Sequence, residues 1–523
     1  MAVRKTVSFI KSLGAVALIL MFLISLGSCR DDFETSPNTG QLEFSRDTVF
    51  LDTVFTNIGS STYSVKVYNK SDNAITIPNV SLSQGENSNY RLNVNGLPGK
   101  RFEDVEILAQ DSIFIFIETT FDIQSATSGN EFLYTDAIVF DENVNEQRVE
   151  LVTLVQDAVF LFPSRDAQGV KESINLGIDE NGDPVLIEGF ILEDDELTFT
   201  SEKPYVIYGY AAVAENKTMN LEAGARLHFH QNSGIIVGSG GSLKINGSLS
   251  TNKELLENEI ILEGDRLEPE FSEVPGQWGT IWLTPGSIDN VINYATIRNA
   301  TVGILVDSEN EENNGNPHLT LTNSQIYNAS NIGIYGVDTY IKAGNVVANK
   351  AGVATLAVQL GGRYEFTHST ITNFASGVRS VPAVFLSNFL DSGDTRFVAD
   401  LDFTMENSIV AGNNLTEIGF EFAEEATANY LFRNTAIRFE DAFGRFEDDP
   451  LYDFMNESNF DNVLLTNDFS FADATNNDLR ITDDSAVLGI GNVEGANLFP
   501  LDLLGENRSG AIDPGAYQRV VLQ

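Results

Sequence analysis

The side chains able to do chemistry in this 523-residue chain are few and scattered. Of four histidines, only His228 and His230 lie close together, two positions apart, so that on a strand both would share one face. That spacing suits a metal or an exposed strand equally, and no third ligand stands near them in sequence. His318 follows Pro317 in an expected loop, and His368 stands where neighbouring segments have Tyr294 or Asn323, which reads as a stacked structural residue. Lys342, Lys350 and Arg363 are the nearest cations to a lyase base, which must take a proton beside a neutralised acid. Asp307, Glu309, Glu311 and Glu312 gather in one polar stretch, which reads as a solvated loop. A glycosidase needs two carboxylates at a defined separation, and no such pair is evident. Trp278, Trp282, Tyr327 and Tyr335 could stack on sugar rings if exposed, although packing in a core is the default for aromatics. No catalytic residue and no metal ligand is assigned on this reading.

The elements that would carry these residues are strands throughout. From Gln41 to about Phe160, short runs alternate apolar and polar residues, as in Tyr63-Ser64-Val65-Lys66-Val67-Tyr68 and Ile113-Phe114-Ile115-Phe116-Ile117. Period-two patterning broken by Asn, Gly and Ser predicts a β-sandwich. Gly59-Ser60-Ser61-Thr62 before a strand, Val67-Tyr68-Asn69-Lys70-Ser71, and Leu108-Ala109-Gln110-Asp111-Ser112 come in an order that resembles immunoglobulin-like domains of the ASPM and hydin kind. The resemblance implies a spacer or binding module. Residues 161–218 read as a connecting or capping β region.

After Met219 the pattern becomes repetitive. Leu221 to Leu227, Ile235 to Gly238 and Gly240 to Gly247 are short strands joined by glycine-containing corners. A rung then recurs: an apolar residue, Asn, a small residue, then Gly with Ile or Val. It starts at Ile297, Ile326, Val347, Ile371, Val410 and Ile437, at intervals of 29, 21, 24, 39 and 27 residues. Stacked coils, each burying inward aliphatics against the next, explain such a repeat. Asn299, Asn328, Asn349 and Asn373 are the expected structural corner residues, since Asn tolerates left-handed geometry and bonds to its neighbours. The wide interval after Ile371 implies an inserted loop at about Asn388 to Asp400. Pro275 to Trp282 resembles the opening coils of secreted right-handed β-helix proteins, and Gly505 to Tyr517 resembles the closing motif of the choice-of-anchor Q group. The fold class expected is all-β: an immunoglobulin-like β-sandwich at 41–160, then a right-handed parallel β-helix at 219–523.

The single cysteine, Cys29, rules out an intrachain disulfide and needs its own explanation. Arg4, Lys5 and Lys11 precede the apolar run Ala15 to Leu26, which is the layout of a signal peptide and too short for a spanning helix. Leu26-Gly27-Ser28-Cys29 resembles a lipobox, so Cys29 is the expected lipidation site. Arg30, Asp31, Asp32, Phe33 and Glu34 resemble the acidic export signal of surface lipoproteins of the Bacteroidota. Residues 29–40 read as a tether. These features imply anchorage in an outer membrane, facing outward.

The formal net charge of −44 excludes nucleic-acid binding, which needs a basic patch. Excess carboxylate could hold Ca2+, but no D-x-D-x-D-G loop is found, and no cofactor is assigned. The function expected is therefore a non-catalytic surface module serving an outer-membrane protein complex or a polysaccharide. A β-helix lyase or hydrolase acting on acidic glycans is the competing expectation.

Overall fold

A computed structural model describes residues 35–519, apart from 40, 128, 143, 180, 181, 254, 309–314 and 394. Cys29 and the segment Arg30 to Glu34 lie outside the described residues, as do Glu309, Glu311 and Glu312. The chain divides into two units, one running to Val155 and one from Gln156 onward, with 128–130 counting in the second.

The first unit is a β-sandwich. One sheet holds Ser36–Pro37, Thr48–Phe55, Ile75–Leu82, Arg101–Ile107, Glu131–Phe140 and Gln147–Gln156, and the other holds Glu43–Phe44, Tyr63–Tyr68, Tyr90–Val94, Leu97–Gly99 and Ser112–Thr119. Alternation decides what faces inward: Val65, Val67, Ile113, Ile115 and Ile117 meet Ile77, Val80, Ile138 and Leu151 in one core. No disulfide is present to staple it, so buried Tyr90 spans the layers, its hydroxyl 2.9 Å from Thr153 Oγ1. The sandwich begins earlier than its sequence boundary. Ser36–Pro37 pairs with Ile75–Thr76, so part of the expected tether belongs to the sheet.

The second unit is a parallel β-helix with three faces. The first face stacks Val159–Leu161, Tyr205–Ile207, Arg226–Phe229, Ile260–Gly264, Ala295–Arg298, Gln325–Ala329, Val347–Ala351, Thr370–Asn373, Ile409–Gly412, Ala436–Ile437 and Leu464–Leu465. The other two faces share one continuous sheet, because in two coils the strand runs through the corner without a break, at Ile332–Gly344 and Ala354–Thr367. Parallel pairing already links Tyr205–Ile207 to Val159–Leu161, so the ladder extends back through the segment expected as a cap.

The repeat positions do point inward and pile up. On the first face Leu227, Leu262, Ile297, Ile326, Ala348, Ile371, Val410 and Ile437 are in register. On the second, Ile235, Ile281, Ile304, Ile334, Leu356, Val384 and Ile418 form an equal column. One rung is corrected by this pairing: Ala348, not Val347, continues the column. The sequence repeat cannot show this, because a one-residue slip on a strand reverses which side chain faces the core.

Beyond Leu465 the chain leaves the coil and lies along its side, where Asn477 bonds Asn349, Asn492 bonds Asn407 and Asn434, and Tyr517 bonds Gln325. A column this continuous makes each inward aliphatic costly to truncate. Ile304→Ala, between Ile281 and Ile334, is expected to lower unfolding stability by about 2–5 kcal/mol in chemical denaturation.

Candidate functional site

Two corners of the helix are built differently, and the difference decides which is available. At the corner between the third and first faces, Tyr294, Asn323, Asn345, His368, Asn407, Asn434 and Asn462 all have positive φ, between 47° and 53°. Of this ladder only the equivalence of Tyr294, Asn323 and His368 was read from the sequence, although Asn or its substitute precedes each rung by two or three residues. The short side chains hydrogen-bond between coils: Asn345 Nδ2 donates to Asn323 Oδ1 at 2.9 Å. His368 takes the Asn place, with Asn407 Nδ2 at 3.0 Å from its Nε2 and the Gly515 carbonyl near Nδ1. Burial and the Arg508 charge push its pKa down to about 3, so it stays neutral as a rung residue.

The returning C-terminal segment covers this corner. Arg508 Nη2 donates to Asn345 Oδ1 at 2.9 Å, and the Ala516 amide donates to Thr370 Oγ1 at 3.0 Å. The Phe499 ring lies over Gly344, where a Cβ would sit 1.9 Å from the ring. The segment resembling a closing motif therefore seals the flank of the helix.

The four predicted corner asparagines lie at the opposite end of the first-face strands. Asn299 and Asn328 have positive φ and are bridged at 3.3 Å, as stacking required. Asn349 does not share their place. Lys350 occupies it, with φ 59°, while Asn349 aligns with Tyr327 and bonds Asn477. Asn373 is fully buried, donating to the Ala351 carbonyl and accepting from its amide.

The corner between the second and third faces carries a groove of about 760 Å³. Asp338, Asp400, Asp402 and Glu425 line it together with His318, Tyr340 and Arg363. Its floor is set by backbone. Leu360, Gly361 and Gly362 have successive positive φ values of 57°, 69° and 103°, and the ladder register shifts there. A bulge of this kind turns the strand and removes side chains from the surface. A Cβ at Gly361 would lie 2.4 Å from the Asp400 carbonyl oxygen, so the two coils touch by backbone alone. The insertion expected at Asn388 to Asp400 is a hairpin, Phe389–Ser392 with Thr395–Val398, and its exit residues Val398 to Asp400 form one rim.

The groove's electrostatics are uneven. Burial, reinforced by Asp307, raises the Asp338 pKa to about 6. Asp400 is held below the usual carboxylate range by hydrogen bonds from Thr427, whose amide lies 2.8 Å away. Arg363 stacks on Tyr340 with its guanidinium carbon 4.7 Å from the ring centroid, and it donates to Glu365 at 2.6 Å. Tyr340 donates to the same carboxylate at 3.0 Å, and Lys342 lies 3.8 Å from its other oxygen.

The remaining sequence-selected residues are placed elsewhere or otherwise engaged. Lys350 pairs with Glu273 at 3.3 Å, at another corner. His228 is buried, its pKa lowered first by that burial, and His230 lies 2.7 Å from Asp265. Among the described residues no group of three metal-ligating side chains is found. Trp278 is in the core, stacked on Phe229, and Tyr327 is partly buried, packed against the cluster that holds Tyr517. Trp282 packs on an outer apolar patch, and Tyr335 bonds Gln359. The aromatic ring that does line the groove, Tyr340, carried no signal in the sequence, since only the coil register brings it beside Arg363.

No protein-family model matches this chain, and no curated protein matches it. Among solved structures, the catalytic unit of a GH87 α-1,3-glucanase from Streptomyces thermodiastaticus is similar at 11% identity and a TM-score of 0.19, over 71% of this chain and 83% of that one. A GH87 α-1,3-glucanase catalytic domain in complex with tetrasaccharides gives 11% and 0.17, over 72% and 80%. A Porphyromonas gingivalis protein of unknown function gives 10% and 0.17, over 23% of this chain and 47% of that one, so this chain spans about half its length. Likenesses at this level carry no functional argument.

Two outcomes test the site's construction. His368→Asn, which restores the ladder residue, is expected to keep stability, while His368→Leu leaves buried partners unmet and costs about 1–3 kcal/mol in denaturation. Asp338 has a raised folded-state pKa, so its contribution to stability is present below about pH 4 and is lost as pH rises through about 6. Asp338→Asn should flatten that part of the curve of denaturation midpoint against pH.

Proposed function

We propose that this chain is a surface lipoprotein, held to an outer membrane through Cys29, whose β-helix takes a neutral glycan into the groove beside Gly361. The groove carries this reading. It is a cleft lined from several coils, with hydroxyl, amide and carboxylate groups around one cation-backed ring, Tyr340. Sugar hydroxyls are donors that match carboxylate acceptors, and a sugar's C–H face suits an aromatic ring. Among the described lining residues, four carboxylates stand with one Arg, Arg363, which is already engaged by Glu365, so a polyanionic glycan would be repelled. This replaces the acidic substrate expected from sequence. The lyase chemistry weighed there also loses support at Arg363, where burial lowers the pKa but Glu365, Tyr340 and Asp402 together raise it above its ordinary value, so its proton is not released to make a base.

The membrane anchor has a geometric consequence. Ser36 and Pro37 are fixed to the sheet, so only about six residues separate a lipidated Cys29 from the sandwich, a reach of roughly 20 Å. The sandwich then sits close to the lipid.

Two experiments follow. Cys29→Ala should release the protein from sedimented membranes into the soluble fraction, and a variant that still sediments fully would refute the anchor. Tyr340→Ala should weaken binding of the neutral polysaccharide that the wild-type protein retains in affinity electrophoresis, by about tenfold or more.

A further inference from the structure

The β-sandwich carries a surface that its own packing leaves unexplained, and the inference from it rests on the lipid anchor proposed above. In the sheet that contains Tyr63–Tyr68 and Ser112–Thr119, alternation turns Val65, Val67, Ile113, Ile115 and Ile117 into the core and Lys66, Tyr68, Phe114 and Phe116 away from it. Ser112–Thr119 is the central strand of that sheet, yet Phe114 is 48% exposed and Phe116 45%, their rings stacked with centroids 6.1 Å apart. Leu97, on the edge strand Leu97–Gly99, is exposed as well. Single exposed apolar residues are ordinary, but neighbouring aromatics in mid-sheet form a patch.

Cations stand over the patch. Lys66, in register with Phe114, holds its Nζ 5.1 Å from that ring's centroid and 5.4 Å from that of Tyr68, and Lys70 Nζ lies 4.6 Å from the Tyr68 centroid. Of the carboxylates on this face, Glu118 pairs with Arg91 at 3.6 Å, and Glu43 stands beside Tyr68 on an edge strand. The other sheet has the opposite character. It exposes Glu103, Glu106, Glu131 and Glu150, and its Arg101 and Arg148 are paired with carboxylates. In a chain of net charge −44, the aromatic face is therefore the side of the sandwich suited to an anionic surface.

We propose that this face lies on the phosphate layer of the anchoring membrane, with Phe114 and Phe116 entering the lipid interface and Lys66 and Lys70 binding lipid phosphates. The tether decides the occupant. It allows a reach of roughly 20 Å from Cys29 to Ser36, and the chain that follows Ser36–Pro37 enters the aromatic sheet at Glu43–Phe44, so lipid is always within range of this side. At that local concentration a contact too weak to hold a free protein is still made, which agrees with release of the Cys29→Ala variant. Lysine stems lie along apolar surface while their ammonium groups stay among phosphates. Carboxylates elsewhere on the chain are screened beyond about 8 Å at physiological salt, so the charges on the face itself govern the approach. The contact fixes which side of the sandwich meets the membrane.

A tether other than an acyl chain keeps the test separate from lipidation. The full mature chain, with a histidine tag in place of Cys29, is held through a nickel-chelating lipid on vesicles of phosphatidylcholine containing about one third phosphatidylglycerol. An environment-sensitive dye is attached at Ser64→Cys, in register with Phe116, or at Glu103→Cys on the other sheet. The Ser64→Cys dye should shift to the blue and be quenched by brominated lipid about threefold more than the Glu103→Cys dye. Lys66→Glu combined with Lys70→Glu, which leaves the aromatic rings in place, should abolish the difference, as should Phe114→Ser combined with Phe116→Ser. Equal quenching at the two sites, or a difference that survives the lysine substitutions, overturns the proposal. A blue shift that grows with protein concentration in the absence of vesicles assigns the face to a second copy and overturns it too. The anchor fails separately: a Cys29→Ala chain that stays on native membranes counts against lipidation and leaves the dye result untouched.

Discussion

Everything in the second unit depends on apolar side chains stacking along one axis. A single coil of three short strands cannot bury its inward residues, and each fully buried Ile, Leu or Val is worth about 1.5–3 kcal/mol only when the neighbouring coil covers it. The columns through Ile297 on one face and Ile304 on the next supply that cover. Once they are fixed, register is fixed as well, because a one-residue slip would turn aliphatics outward. The corners then inherit exact relationships: whatever stands at a given corner in one coil lies about 4.8 Å from its counterpart in the next.

The two corners use that inheritance in opposite ways. Between the third and first faces, a left-handed residue in every coil from Tyr294 to Asn462 turns the chain sharply, and Asn bridges the coils. Left exposed, such a ladder would trade its bonds for water. The C-terminal segment prevents this by laying Arg508, Ala516 and Tyr517 along it. The buried Arg508 guanidinium, whose pKa burial lowers to about 10, donates from Nη2 to Asn345 and to the Gly515 carbonyl, while its Nε has no hydrogen-bond partner among the described residues. Stability and closure are concentrated on this side.

Between the second and third faces, turns vary in length and polar residues collect. There the left-handed run Leu360 to Gly362 is a local strain that a packed rung would not tolerate without cause. It lets the Gly361 backbone approach the Ala399 and Asp400 carbonyls, beside the groove lined by Asp338, Tyr340, Arg363 and the hairpin exit at Val398 to Asp400. Variable turns over a rigid stack are where a scaffold of this kind can carry chemistry without weakening its core.

The sequence by itself determined the class of fold and the sites that depend on local chemistry. Alternation gave the sandwich strands, the Ile297 and Ile326 rungs gave the coil, and His368 was legible as a rung residue from its position beside Tyr294 and Asn323. These signals are short-range, since a period of two residues or one coil is visible in any window that contains it. The register at Val347 was not legible, because both Val347 and Ala348 suit an inward place and only pairing with Ile326 selects one. Nor was the groove. Asp338 and Asp400 are 62 positions apart with unremarkable neighbours, and turns of unequal length between them hide the spacing. Only the stack, which converts sequence separation into whole coils, brings those two residues to one groove.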